Sequence, residues 1–161
     1  MISRLGFVFG LAALFFATSA AADPTSPNSG PAATNSSKIG PPPAGKAQVV
    51  FFRPSSLMGA VYWAKVRENG TEVGKLSNGN YFVLVAAPGQ HTYTASLEAT
   101  DTIKLELDPD ETYFVEARMT MGVAIYRVNL APSDEARFEK TLHGMKQVPP
   151  ATDAKPSPAG G

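Results

Sequence analysis

Between residues 46 and 148 apolar and polar positions mostly alternate, and a period of two is the signature of strands. "HTYTASLEA" is the cleanest case: His91, Tyr93, Ala95 and Leu97 fall on one face, and Thr92, Thr94, Ser96 and Glu98 on the other. "TIKLELD" turns Ile103, Leu105 and Leu107 inward. "TYFVEARMTM" groups Tyr113, Val115, Ala117 and Met119, and "VAIYRVNL" groups Ala124, Tyr126, Val128 and Leu130. "AVYWAKVREN" sets Tyr62, Ala64 and Val66 against Trp63, Lys65 and Arg67. "AQVVFFR" and "YFVLVAA" are apolar on both faces, which places them in the middle of a sheet.

Turn residues punctuate these strands. Asn69-Gly70 suits the positive backbone angles of a two-residue hairpin, which returns through "TEVGKL". Asn78-Gly79 and Asp108-Pro109-Asp110 mark further turns, and Pro88-Gly89 fits the centre of a type II turn. "NGNYFVLVAAPGQHTY" therefore reads as turn, central strand, tight turn, next strand. One helix follows, with Ser133 as its N-cap and Asp134 and Glu135 in the positive first turn. Phe138, Leu142 and Met145 share one of its faces, and Gly144 ends it. That face covers either a sheet face or an open edge. About seven to eight short strands without helical crossovers predict a mainly β fold, an antiparallel β-sandwich with one C-terminal helix.

The ends read differently. Arg4 precedes an apolar run to Ala17, and Ala20-Ala21-Ala22 stand before Asp23. This is the pattern of a secretory signal peptide, residues 1–22, cleaved after Ala22. The run is shorter than the roughly 20 residues a spanning helix needs. A retained anchor is the alternative. Residues 23–45 and 149–161 are rich in Pro, Ser, Gly and Ala and too poor in large apolar residues to offset their ordering entropy. They read as tethers, or else as segments that engage a partner groove or cross a wall layer. The chain has no cysteine. No disulfide can brace the core, and no lipid-bearing cysteine follows the signal, so a periplasmic or secreted protein is expected. The formal net charge is +0, which removes the long-range attraction to phosphate and excludes nucleic acid as an expected partner.

The ordered set "VVFFRPSS", "VRENGTEVGKL", "SNGNYFVLVAAPGQHTY" and "DETYFVEA" resembles the bacterial DUF2846 family over residues 48–130. The hairpin and the "PG-H" turn are more distantly similar to PEGA-type sandwich modules. The resemblance implies a small exported β-sandwich, in many members a lipoprotein, and brings no reaction with it. The absent cysteine sets this chain apart from the lipoprotein members.

Residues able to carry chemistry are sparse. His91 and His143 show no metal-ligand spacing. No G-x-S-x-G elbow or phosphate loop is present. Glu98 and Asp101 form the nearest thing to a glycosidase acid pair, and read more simply as solvated carboxylates at a strand end. No catalytic residue, metal or cofactor is assigned, and the chain is not expected to be an enzyme. Five residues form the candidate binding surface: Arg53, Trp63, Tyr81, His91 and Tyr113. Arg53 either pairs with a ligand carboxylate or, as favoured, makes an internal ion pair or caps the sandwich end. Trp63 either stacks on a sugar or partner or, as slightly favoured, packs under the helix. His91 shares the parity of its apolar neighbours and reads as a hydrogen-bonded residue at the core rim, with a pH-switch role as the alternative. The function expected is that of a non-catalytic binding module of the bacterial envelope, its partner an envelope protein or glycan. A hydrolase of an envelope polymer and a strand-adding structural subunit are the alternatives.

Overall fold

The computed structural model describes residues 38–122 and 125–151. The expected signal segment, most of both tethers and Ala124 lie outside the described residues. Nine strands are present among those described: β1 (Ala47–Arg53), β2 (Ala64–Glu68), β3 (Thr71–Leu76), β4 (Asn80–Ala86), β5 (Gly89–Ser96), β6 (Thr100–Leu107), β7 (Thr112–Met121), β8 (Tyr126–Ser133) and the short β9 (Lys146–Gln147). Helix α1 (Glu135–Thr141) and a 3-10 turn (Leu142–Gly144) separate the last two strands. The strands form two sheets, ordered β8-β7-β1-β4-β9 and β3-β2-β5-β6. The expected sandwich with a C-terminal helix is the observed architecture.

All seven residues of β1 are buried, as expected for a strand apolar on both faces. Its Val49 and Phe51 point between the sheets, where Phe51 stacks on Phe82 at 5.2 Å and meets the edge of Tyr93 at 5.0 Å. Val50 and Phe52 point outward into a second cluster beneath α1. There Phe138 meets the edges of Phe52 and Tyr81 at 5.3 and 5.1 Å. The helix thus covers the outer face of the five-stranded sheet. Its N-cap is Asp134, whose carboxylate accepts the Arg137 N–H at 2.7 Å. Ser133, expected in that role, instead ends β8, because β7 pairs with β8 as far as Phe114↔Ser133.

The turns differ in what they close, and two strand pairs depart from the antiparallel expectation. Asn69 and Gly70 have φ of 48° and 84° and close the β2–β3 hairpin as expected. The turns at Asn78-Gly79 and Pro88-Gly89, however, close no hairpin. Strand β4 belongs to the five-stranded sheet while β3 and β5 belong to the other, so both turns carry the chain across the sandwich. Gly79 is required at its crossing: its φ is 69°, and a Cβ would lie 2.5 Å from Ser55 Oγ and 2.8 Å from the Gly144 carbonyl. Finally, β1 pairs with β7, and β4 with β9, in parallel. The link from β1 to β7 passes through the opposite sheet, which replaces the helical crossover that parallel pairing ordinarily needs.

Both open sides of the sandwich are closed. On one side the carboxylates of Glu98 and Asp101 accept the N–H groups of Tyr126 (2.6 Å) and Leu130 (2.7 Å) of β8. On the other, residues 146–151 run beside β4, where Val148 N–H donates to Tyr81 O and Ala151 N–H to Val73 O, both at 2.9 Å. These bonds occupy edge groups that a partner strand would otherwise use.

Candidate functional site

The sequence reading extended β2 back through "AVYW", but the strand begins only at Ala64. Residues 57–62 form turns, with Ala60 N–H donating to Leu57 O and Tyr62 N–H to Gly59 O, and Gly59 takes a φ of 66°. Arg53 holds this loop from below. It is 2 % exposed; Nη1 donates to Tyr62 O at 2.6 Å and Nη2 to Gly59 O at 2.7 Å. Arg53 is therefore a cap on backbone carbonyls, and its burial lowers its pKa below the ordinary arginine value. The buried charge is met by carbonyl dipoles, so the loop backbone is pinned while its side chains stand outward. Leu57 is 99 % exposed and Val61 85 %, with Met58 and Trp63 also exposed.

The β2–β3 hairpin places cations beside this loop. A bulge between Val66 and Arg67 shifts the register, so that Ala64 faces Leu76 and Lys65 faces Lys75. Inward Val73 and Leu76 are thus three residues apart, and Lys75 is carried to the outer face. Gly74 permits the arrangement: a Cβ there would lie 2.4 Å from the Phe82 ring. Lys75 Nζ sits 3.8 Å from the Trp63 ring centroid and Lys65 Nζ 6.0 Å from it, within the range of cation–π attraction. Trp63 is not under the helix, which covers the other sheet. A groove of about 360 Å³ opens here, lined by Val61, Tyr62, Trp63, Lys65, Arg67, Ser96 and Leu97. The Tyr62 ring packs on Tyr126 at 4.6 Å. Aliphatic and aromatic side chains with ammonium and guanidinium groups at their rim suit a contact that is apolar in its centre and anionic at its border.

The other candidates lie elsewhere. His91 is buried beside Glu68, with Nδ1 in a hydrogen bond to the carboxylate and Nε2 donating to Ala87 O at 2.8 Å. The Tyr93 ring stacks on it at 6.0 Å. Burial, and then the Glu68 carboxylate, push the Tyr93 hydroxyl pKa far up. This polar cluster lies toward the Asn69-Gly70 turn, at the far end of β2 from Trp63. Tyr81 faces the helix, with its hydroxyl 3.4 Å from Gln147. The Tyr113 hydroxyl bonds Asp108 at both its N–H (3.0 Å) and its carboxylate (3.2 Å). Its burial and the Asp108 and Glu111 charges, against the lowering effect of the Asp108 N–H, push its pKa up to about 12. Of the five candidates the fold joins only Arg53 and Trp63, through the Tyr62 carbonyl that precedes Trp63.

Sequence reasoning passed over Leu57, Val61, Lys75 and Leu97. The signal for the first two was the run "LMGAVYW", apolar yet without a period of two. Lys75 was hidden by the bulge, since an unbroken register from Asn69-Gly70 sets Ala64, not Lys65, opposite it. Glu98 and Asp101, considered as an acid pair, are engaged on the β8 backbone. No group of three or more His, Asp or Glu side chains able to hold a metal ion occurs among the described residues. No helix among them is long and apolar enough to cross a membrane.

No curated protein and no solved structure matches the chain significantly. A family model described as "Protein of unknown function (DUF2846)" matches residues 43–129. That span holds the loop, the hairpin and the groove, and it is more than half of the chain: the protein belongs to the DUF2846 family.

Proposed function

We propose that this protein is an exported, non-catalytic binding module of the bacterial envelope, and that its contact face is the end of the sandwich bearing residues 57–63. One observation carries the reading: Leu57, Met58, Val61 and Trp63 stand exposed on a loop whose backbone is anchored by a buried arginine. Exposed apolar side chains on a fixed backbone mark an interaction surface. Support for export comes from residues 1–22, with their basic start, apolar run and small residues before Asp23.

The test is co-sedimentation of the purified protein with isolated envelope fractions, together with mass determination of the exported chain. The reading expects a mature protein starting at Asp23 that sediments with the envelope. Val61→Asp should abolish sedimentation without unfolding the protein, since that side chain is solvent-exposed. A protein that stays in the supernatant with every fraction would end the proposal.

A further inference from the structure

We infer that the loop of residues 57–63 is a membrane-docking tip that inserts its apolar side chains into an anionic phospholipid surface. The inference rests on the binding-module reading above and names the partner. Three observations point to a bilayer. The apolar side chains project from a turn beside an open groove: Leu57 and Val61, the most exposed, are aliphatic. A lipid surface accepts such projections without a matching shape, whereas a stable protein pair needs about 800 Å² of complementary surface on each side.

Charge is the second observation. Glu72 pairs with Lys65 at 2.7 Å, and the side chains that line the groove include no carboxylate. Lys75, over Trp63, and Arg67, on the groove wall, are left to set the sign of the rim. Anionic headgroups fit such a rim, and Trp with Lys is the pairing that sits at a headgroup boundary. The third observation is direction. Strand β1 starts at Ala47, opposite Ala86, and residues 147–151 run from Tyr81 toward that same end. Among the described residues, the start of β1 and the run 147–151 thus lie toward the end away from the loop.

Trp63 is the single tryptophan of the chain, so its emission reports on this tip alone. The purified protein is titrated with vesicles of phosphatidylethanolamine and phosphatidylglycerol, and separately with phosphatidylcholine vesicles. The expected result is a blue shift and co-flotation with the anionic vesicles only, weakened by salt. Leu57→Asp and Val61→Asp should each weaken partitioning by about tenfold or more. Lys75→Ala should weaken it and reduce its salt dependence. Absence of both shift and flotation overturns the inference. So does a concentration-dependent blue shift without vesicles, which would assign the tip to a second copy. A shift produced by soluble acidic glycan fragments but not by vesicles also overturns it, while leaving the binding-module reading intact. Failure with vesicles and with every envelope fraction ends both.

Discussion

Glu116 offers the most direct test of how the helix is fastened to the sandwich. It lies on β7, 2 % exposed, and faces the helix. Its carboxylate receives Arg137 Nη2 at 2.8 Å and Nε at 3.1 Å, and Arg118 Nη2 at 2.7 Å. Burial alone would raise its pKa; the hydrogen bonds from Arg137 and then Arg118 overcome that and lower it to about 2, from an ordinary value of 4.5. At about 1.4 kcal/mol per pKa unit, the difference sets a ceiling of about 3 kcal/mol. Arg118 and Arg137 are 55 % and 41 % exposed, and solvent screening brings the expected contribution down to about 1–2 kcal/mol. A carboxylate with a depressed folded pKa stabilises fully above its unfolded pKa, and that stabilisation is lost as pH falls through the folded one. Urea unfolding of the wild type and Glu116→Gln should therefore differ by about 1–2 kcal/mol at pH 7, and the gap should close between pH 4.5 and about 2. A gap of the same size at pH 2 would show that Gln loses packing and not charge.

Three further outcomes follow from the geometry. Gly74→Ala drives a Cβ into the Phe82 ring, which is itself stacked on Phe51. Thermal unfolding should report a loss of about 1–3 kcal/mol, the usual cost of overpacking. Asp101→Ala uncaps β8: amide exchange at Leu130 should quicken and stability fall by about 1–2 kcal/mol, and an unchanged exchange rate would dismiss the edge-cap role. Arg53→Met should cost about 1–3 kcal/mol and speed exchange at the Tyr62 amide. Arg53→Lys, which cannot reach two carbonyls as a fork does, should fall between.

Much of this fold is written in local pattern. The inward parity of His91, Tyr93 and Ala95, the all-buried β1 and the Asn69-Gly70 hairpin are found as the spacing predicts; Phe138, Leu142 and Met145 do pack in one cluster, but the α-helix ends at Thr141 and not at Gly144, so Leu142 lies in a 3-10 turn and Met145 in extended chain. Each is decided by neighbours close in the chain: alternation sets which face a side chain takes, and the turn dipeptide sets the backbone angles. The site was less legible. Trp63 was readable as a candidate, but its surroundings depend on a register shift at Val66 and on a buried arginine reaching back from β1 to the loop. Parity in "AVYWAKVREN" suggested a continuous strand, whereas the two carbonyl bonds to Arg53 break it into a loop.

By itself the sequence determined the strands, their buried faces, one hairpin, the helix stripe and the expectation of export. Tertiary structure alone decided that Asn78-Gly79 and Pro88-Gly89 cross between sheets, that β1 lies parallel to β7, and that Glu98 and Asp101 serve the β8 backbone. It also decided which apolar residues stay outside. The physical reason is range. Period and turn chemistry are local energies, readable along the chain. The choice of partner strand is made where distant residues such as Phe51, Phe82 and Tyr93 pack together, and no short window holds that contact.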